Sequence, residues 1–159
     1  MSVGFLDSLR RRTAAPLTRL IRRGRVVTIG VQGAVVDEAG RLLLVRHGYR
    51  PGWHFPGGGL ERGESAEVAL RRELFEETGV IPAERPRVFS IYSHFDVYPG
   101  DHIVLYIVEA WKQPTVPPPS FEIAEQGFFA PDALPEGTSA GTRRRVQEIV
   151  RGAVPAARW

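Results

Sequence analysis

The sequence predicts a layered α/β (α+β) domain with a mixed sheet. Three observations lead there: runs of β-branched and apolar residues flank one central helical segment, a second helical segment closes the chain, and no repeat or long linker divides it. With 159 residues, 43% hydrophobic and 25% charged, a single domain of ordinary size is expected. Such a chain buries roughly 68–70% of the surface its unfolded form exposes. The absence of cysteine excludes disulfides, thiolate metal sites, thiol nucleophiles and iron–sulfur clusters. No apolar run approaches the roughly 20 residues that span a bilayer, and no secretory signal is evident, so a cytoplasmic protein is the simplest expectation.

Residues 1–25 form a basic arm. It holds seven arginines against Asp7, a local charge of +6, while the remainder has 14 basic and 17 acidic groups, a charge of −3. Phe5, Leu6 and Leu9, then Leu17, Leu20 and Ile21, fall three and four apart around Pro16, as in two short amphipathic turns. Such an arm could touch RNA or an anionic membrane, or it could pack on the domain with its arginines in solvent.

The domain is expected over 26–152, with 153–159 as a tail. A strand over Val26–Val36, a turn at Glu38-Ala39-Gly40 and a second strand over Leu42–Val45 come first. From His47 to Gly59 glycine, proline and aromatic residues mark a loop with a short extended piece at Trp53–Phe55. A helix follows over Ser65–Thr78, stopped by Gly79 at a position suited to a left-handed cap. Strands over Val88–Val97 and Ile103–Trp111 join through Pro99-Gly100-Asp101. Pro114–Pro119 is a stiff connection, Gly127–Ala130 a short strand and Thr142–Arg151 the closing helix.

The end of the central helix breaks a local rule. Glu73, Glu76 and Glu77 sit three and four apart in the last turn, on what is expected to be one largely exposed face. There the macrodipole disfavours anions by roughly 0.3–1 kcal/mol each, and like-charged neighbours add roughly 0.2–0.5 kcal/mol per pair. Compensation by a cation would explain the pattern, and hard oxygen donors at this spacing suit Mg²⁺ or Mn²⁺. An acidic face neutralised by Arg71 and Arg72 would explain it equally well. The preceding Pro56-Gly57-Gly58-Gly59 lets backbone approach a ligand closely, or it simply makes a tight turn.

Loop and helix together read GGGLERGESAEVALRRELFEETGV, which resembles the box of the Nudix (MutT-like) hydrolases, G-x5-E-x7-R-E-U-x-E-E-x-G-U with U bulky and apolar. Gly58, Glu64, Arg72, Glu73, Glu76, Glu77 and Gly79 take the fixed places, Leu74 and Val80 the apolar ones. The flanks RLLLVRHGYRPGWHFPGGG and FEIAEQGFFAPDALP extend the similarity over roughly Val26–Arg151.

The resemblance implies the Nudix fold, an α/β/α sandwich, and Mg²⁺-dependent hydrolysis of a nucleoside diphosphate linked to another group. It implies Glu73 and Glu77 as principal metal ligands, Glu76 sharing an ion, a carbonyl near Gly58 completing the shell, and Arg72 orienting Glu73. Glu64 would support the loop or act as a helix-terminal cap, the plainer role. The general base would be Glu73, or Glu122 or Glu125 on the later loop. Substrate contacts fall to Gly57, Gly58 and Gly59 and to exposed aromatics, with Trp53, Phe95 and Tyr98 foremost among a set that includes His54, Phe55 and His94.

PGGG departs from the PQGG-like stretch of RNA pyrophosphohydrolases. It leaves ADP-ribose or another nucleotide sugar, or a nucleoside triphosphate, as the substrate class. A nucleotide-binding module without turnover is the alternative, and a homodimer is compatible with the resemblance.

Overall fold

The computed structural model describes residues 27–97 and 99–159. The expectations for the basic arm and for Tyr98 lie outside the described residues. Among the described residues eight strands and two helices follow in order: β1 (Thr28–Val35), β2 (Leu42–His47), β3 (Trp53–His54), α1 (Ala66–Thr78), β4 (Ile81–Pro82), β5 (Arg87–Ser93), β6 (Asp101–Val108), β7 (Trp111–Lys112), β8 (Ile123–Phe129) and α2 (Ala140–Arg151).

β6 lies between β1, parallel to it, and β5, antiparallel to it. β2 lies between β3 and β8, both antiparallel, and β4 pairs with β7. Side-chain alternation along the central strands builds two cores. Val31, Val35, Val104, Tyr106, Val108 and Leu43 meet Ala69, Leu70 and Leu74 of α1 on one side. Ala34, Leu105, Ile107, Leu42, Leu44 and Phe55 meet Val146 of α2 on the other. Strands buried on both faces explain why Ile103–Val108 is an unbroken apolar run. The layered domain expected from the element order is present, with helices on both sides as the resemblance implies.

Several local expectations are refined or change: the strand expected over Ile103–Trp111 is Asp101–Val108, and Trp111–Lys112 is a separate strand paired with β4. The chain does turn after β1, where the Asp37 carboxylate accepts the N–H groups of Ala39 and Arg41, but β1 and β2 diverge into different sheets beyond a single Val36–Leu42 bridge. β5 stops at Ser93, short of Val97, because pairing with β6 ends at Ser93–His102 and His94–Val97 folds into a turn. β8 starts at Ile123, earlier than Gly127, because it runs the length of β2 from His47 to Leu42. Residues 153–159, set apart in the sequence as a tail, return along β5. The Trp159 N–H donates to the Ser93 carbonyl, and the Trp159 indole packs edge-on against Tyr92. Between them lies Arg145 of α2, fully buried, donating to the Arg158 carbonyl and the Glu148 carboxylate with its guanidinium over the Tyr92 ring.

α1 has the expected bounds. The Ser65 hydroxyl accepts the Val68 N–H, and Gly79 ends the helix in the left-handed region with its N–H on the Phe75 carbonyl. Its Leu70–Leu74 stripe continues one turn further onto Glu77, which decides the geometry of the site.

Candidate active site

The glycine loop before α1 is held against β1 by backbone. Val31 donates its N–H to the Gly58 carbonyl at 2.8 Å, and Gly33 donates to Pro56 at 2.9 Å. Gly57, at a φ of 143°, sits so close to β1 that a Cβ there would come within 2.8 Å of the Gln32 Cα. Gly58 presses on the Glu73 carboxylate, where a Cβ would meet its atoms at 2.5–2.8 Å. Gly59 has open space at that position. The three glycines therefore meet a strand, a carboxylate and solvent in turn.

The three glutamates of the last helical turn do not share one exposed face, contrary to the sequence expectation. Glu76 is 58% exposed, Glu73 only 12% and Glu77 4%. The helical period is the reason: Glu77 lies three residues after Leu74 and seven after Leu70, on the apolar stripe. One oxygen of Glu77 accepts the Gly57 N–H at 2.7 Å, and one oxygen of Glu73 accepts from Arg72 Nη1 at 2.7 Å. The second oxygen of each has no hydrogen bond among the described residues.

Arg72 gathers the acidic groups. It grips Glu64 with two N–H groups at 3.0 Å each, reaches Glu76 at 3.3 Å and donates to the Gly59 carbonyl at 3.1 Å. The ion pairs to Glu64 and Glu76 thus coexist with the bond that orients Glu73. Glu64 is not the helix cap, a place Ser65 takes. It accepts the Glu61 N–H and Arg72 together, so it ties the loop to the helix.

Glu122 is exposed, and its backbone carbonyl accepts from Gly48 and from His47 Nδ1. Its charge nonetheless reaches both Glu73 and Glu77 and favours their protonated forms. Glu125 instead pairs with Arg46 across the β2–β8 ladder and is held below its ordinary range by that bond. Trp53 is half-buried against the second core, edge-on to Phe129 at 5.0 Å. Phe55 is fully buried, and His54 donates to the Pro51 carbonyl. Phe95 stays 46% exposed, edge-on to His102, while His94 pairs with Asp101.

Two residues that sequence reasoning missed complete the site. His47, at the end of β2, is buried 4.0 Å from Glu77. Its Nδ1 faces a carbonyl and its Nε2 faces the guanidinium of Arg50, so the proton sits on Nδ1 and the ring is neutral. Burial, then the charge of Arg50, lowers its pKa to about 4. Burial also pushes Glu77 up to about 8, against the Gly57 hydrogen bond, with Glu73 and Glu122 adding repulsion. At neutral pH neither partner carries a full charge, so the contact is not an ion pair. Glu73 is likewise raised, first by burial, with Arg72 opposing. His47 left a signal in that a polar residue closed an apolar strand; Arg50 left none.

These shifts fix the pH dependence of stability. Between the unfolded value near 4.5 and about 8, folded Glu77 keeps a proton the unfolded chain has lost, so its contribution disappears as pH rises. His47 acts oppositely between about 4 and 6.5, where the unfolded chain holds the extra proton. The two effects offset below pH 6.5. Above it His47 no longer offsets Glu77, and the metal-free protein is expected to lose Tm between about pH 6.5 and 8.5 in thermal melts, a loss reduced in Glu77→Gln. A flat or rising profile would contradict the burial of this acid.

Carboxylates forced together and partly neutralised by protons are a donor set in need of a cation. As described, Glu73 turns toward Arg72 and Glu76 toward solvent, so no three acidic or histidine side chains among the described residues surround one point. The donors are nevertheless all oxygen. Glu73 and Glu77 each have one oxygen anchored and one free, as an ion such as Mg²⁺ requires.

The NUDIX domain family model matches residues 26–148. The chain belongs to the Nudix family. It is 30% identical over 128 residues to a MutT-like protein of Streptomyces ambofaciens, covering 80% of each chain. It is 29% identical over 125 residues to a putative 8-oxo-dGTP diphosphatase of Bacillus subtilis, covering 77% of this chain and 81% of that one. The MutT Nudix hydrolase structure from Burkholderia pseudomallei superposes with a TM-score of 0.66 at 31% identity, over 78% of this chain and 98% of that one. This Nudix protein is a hydrolase of phosphorus anhydrides, and its mixed sheets with helices on both sides are the Nudix fold. The packed glycine loop, Arg72 and the glutamates of α1 are its Nudix box.

Proposed function

We propose that the chain is a Mg²⁺- or Mn²⁺-dependent pyrophosphohydrolase of a small nucleotide. It would cleave the diphosphate linkage of a nucleoside diphosphate joined to another moiety, such as a nucleotide sugar like ADP-ribose, or of a nucleoside triphosphate. The observation that carries this reading is Glu77, a carboxyl buried at the loop–helix junction, with one oxygen fixed by Gly57, the other unbonded and its pKa raised to about 8. Helix stability gives no reason to bury an acid there, whereas a cation does. The likeness to a MutT Nudix hydrolase supports the same class of enzyme, and the likeness to a putative 8-oxo-dGTP diphosphatase supports a nucleotide substrate.

In this reading Glu73 and Glu77 hold the ion, Glu76 swings in from solvent, and the Gly58 carbonyl offers the lone pair that Val31 does not use. When bound, the ion neutralises the diphosphate and makes water more acidic. Arg72 keeps Glu73 in place. Gly57, Gly58 and Gly59 let the diphosphate approach the backbone. Glu122, an exposed acid whose charge disfavours ionisation of both Glu73 and Glu77, takes the proton of the attacking water.

A release screen with Mg²⁺ and with Mn²⁺ tests the reading over nucleoside triphosphates, ADP-ribose, other nucleotide sugars and dinucleoside polyphosphates. Metal-dependent turnover of a nucleotide is expected, and Glu122→Gln is expected to lower it by about 100-fold or more while metal binding persists. Metal binding without turnover of any of them would favour a nucleotide-binding module.

A further inference from the structure

Beside the carboxylates a cleft of about 310 Å³ opens, lined by Gln32 of β1, Arg50, Gly57–Gly59, His94 and Asp101 among others. Two of the side chains that line it each carry an anomalous atom. Gln32 Oε1 and Arg50 Nε are both buried, and neither has a hydrogen-bond partner among the described residues. One is an acceptor and the other a donor, and leaving either unpaired away from water is costly. Arg50 is already engaged on its other side, where Nη2 meets His47 Nε2 at 2.9 Å, so its fork is fixed in direction.

We infer that Gln32 and Arg50 form the nucleobase-reading end of the site, taking a base edge that presents an N–H donor next to an acceptor. This rests on the reading of the chain as one that binds a nucleotide, and adds which residues recognise it. A fully ionised phosphate accepts from Arg50 Nε but has no hydrogen to donate to Gln32 Oε1 as it is placed. The pairing edge of a base offers both groups side by side. The volume fits as well, near the lower end of the roughly 300–1,000 Å³ of small-molecule sites.

Connectivity ties the two ends of the site together. The Gln32 backbone abuts Gly57, and the Gly57 N–H is bonded to Glu77. A nucleoside seated at Gln32 would therefore have the glycine loop and the glutamates within reach of its 5′-phosphates. Specificity then depends on β1 and on the loop after β2, outside the box that carries the chemistry.

The test compares nucleoside 5′-monophosphates with ribose 5-phosphate, which has the sugar and phosphate but no base, by calorimetric titration with Mg²⁺ present. In the wild-type protein at least one monophosphate is expected to bind about tenfold or more tighter than ribose 5-phosphate. In Gln32→Met, which keeps the side-chain volume on β1, that advantage is expected to shrink to about twofold, with ribose 5-phosphate itself unaffected. Unchanged Tm and the intact ribose 5-phosphate affinity separate lost recognition from misfolding, and Gln32→Glu gives a second variant that keeps the acceptor and removes the amide.

No base-dependent advantage in the wild type, or an advantage that persists in Gln32→Met, overturns the inference and leaves the two atoms to a trapped water. Failure of the hydrolase reading is seen separately, as nucleotide binding without Mg²⁺-dependent turnover by the wild type.

Discussion

Glu77→Gln loses at least about 100-fold in Mg²⁺-dependent turnover while its Tm at pH 8 equals or exceeds that of the wild type. The two halves of this result come from one side chain. Gln keeps the size of Glu and an oxygen to accept the Gly57 N–H, so the loop stays attached to the helix. What disappears is an acid buried to 4% exposure whose ionisation the fold resists. Removing a disfavoured charge does not weaken the fold, yet an ion loses an anionic donor. Parallel melts and rate measurements check it. A variant that melts well below the wild type at pH 8, or one that keeps its rate, would show that Glu77 serves packing instead.

The glycine triplet provides the second large effect, because three chemically identical substitutions are expected to have three different outcomes. Gly57→Ala puts a methyl group into β1 at a φ of 143° and is expected to cost about 2–4 kcal/mol of stability. Gly58→Ala meets only the end of the Glu73 side chain, which can move, so the fold survives while turnover falls. Gly59→Ala meets open space, and both stability and turnover are expected to stay near wild type. Denaturant titration and rates on the three variants give the order. Equal destabilisation by all three would contradict the close docking of the loop on β1.

What the sequence made legible was local. The bounds of α1 were readable because Ser65 and Gly79 are chemically distinctive at their positions, and the box was readable because its spacing is fixed. Pairing was less accessible. The turn after Val36 looks the same whether its strands pair or diverge, and it is the distant β6 that claims β1. The burial of Glu77 could have been read from its register with Leu70 and Leu74, but its charge argued for solvent. Trp53 shows the reverse, an aromatic in a loop that proved to be half-buried against the core because Phe129 arrives from β8. Gln32 and Arg50 could not be found by pattern at all, since what marks them is the absence of a partner in three dimensions.

The central claim, that buried Glu77 with Glu73 holds a divalent cation, is tested most directly by titrating metal-free protein into Mn²⁺ and following the spectrum of the free ion by electron paramagnetic resonance. The wild type is expected to remove the free signal at stoichiometric protein, Mg²⁺ in excess to restore it, and Glu77→Gln to bind about 10–100-fold more weakly. A free signal unchanged by the wild type, or equal binding by Glu77→Gln, would contradict it.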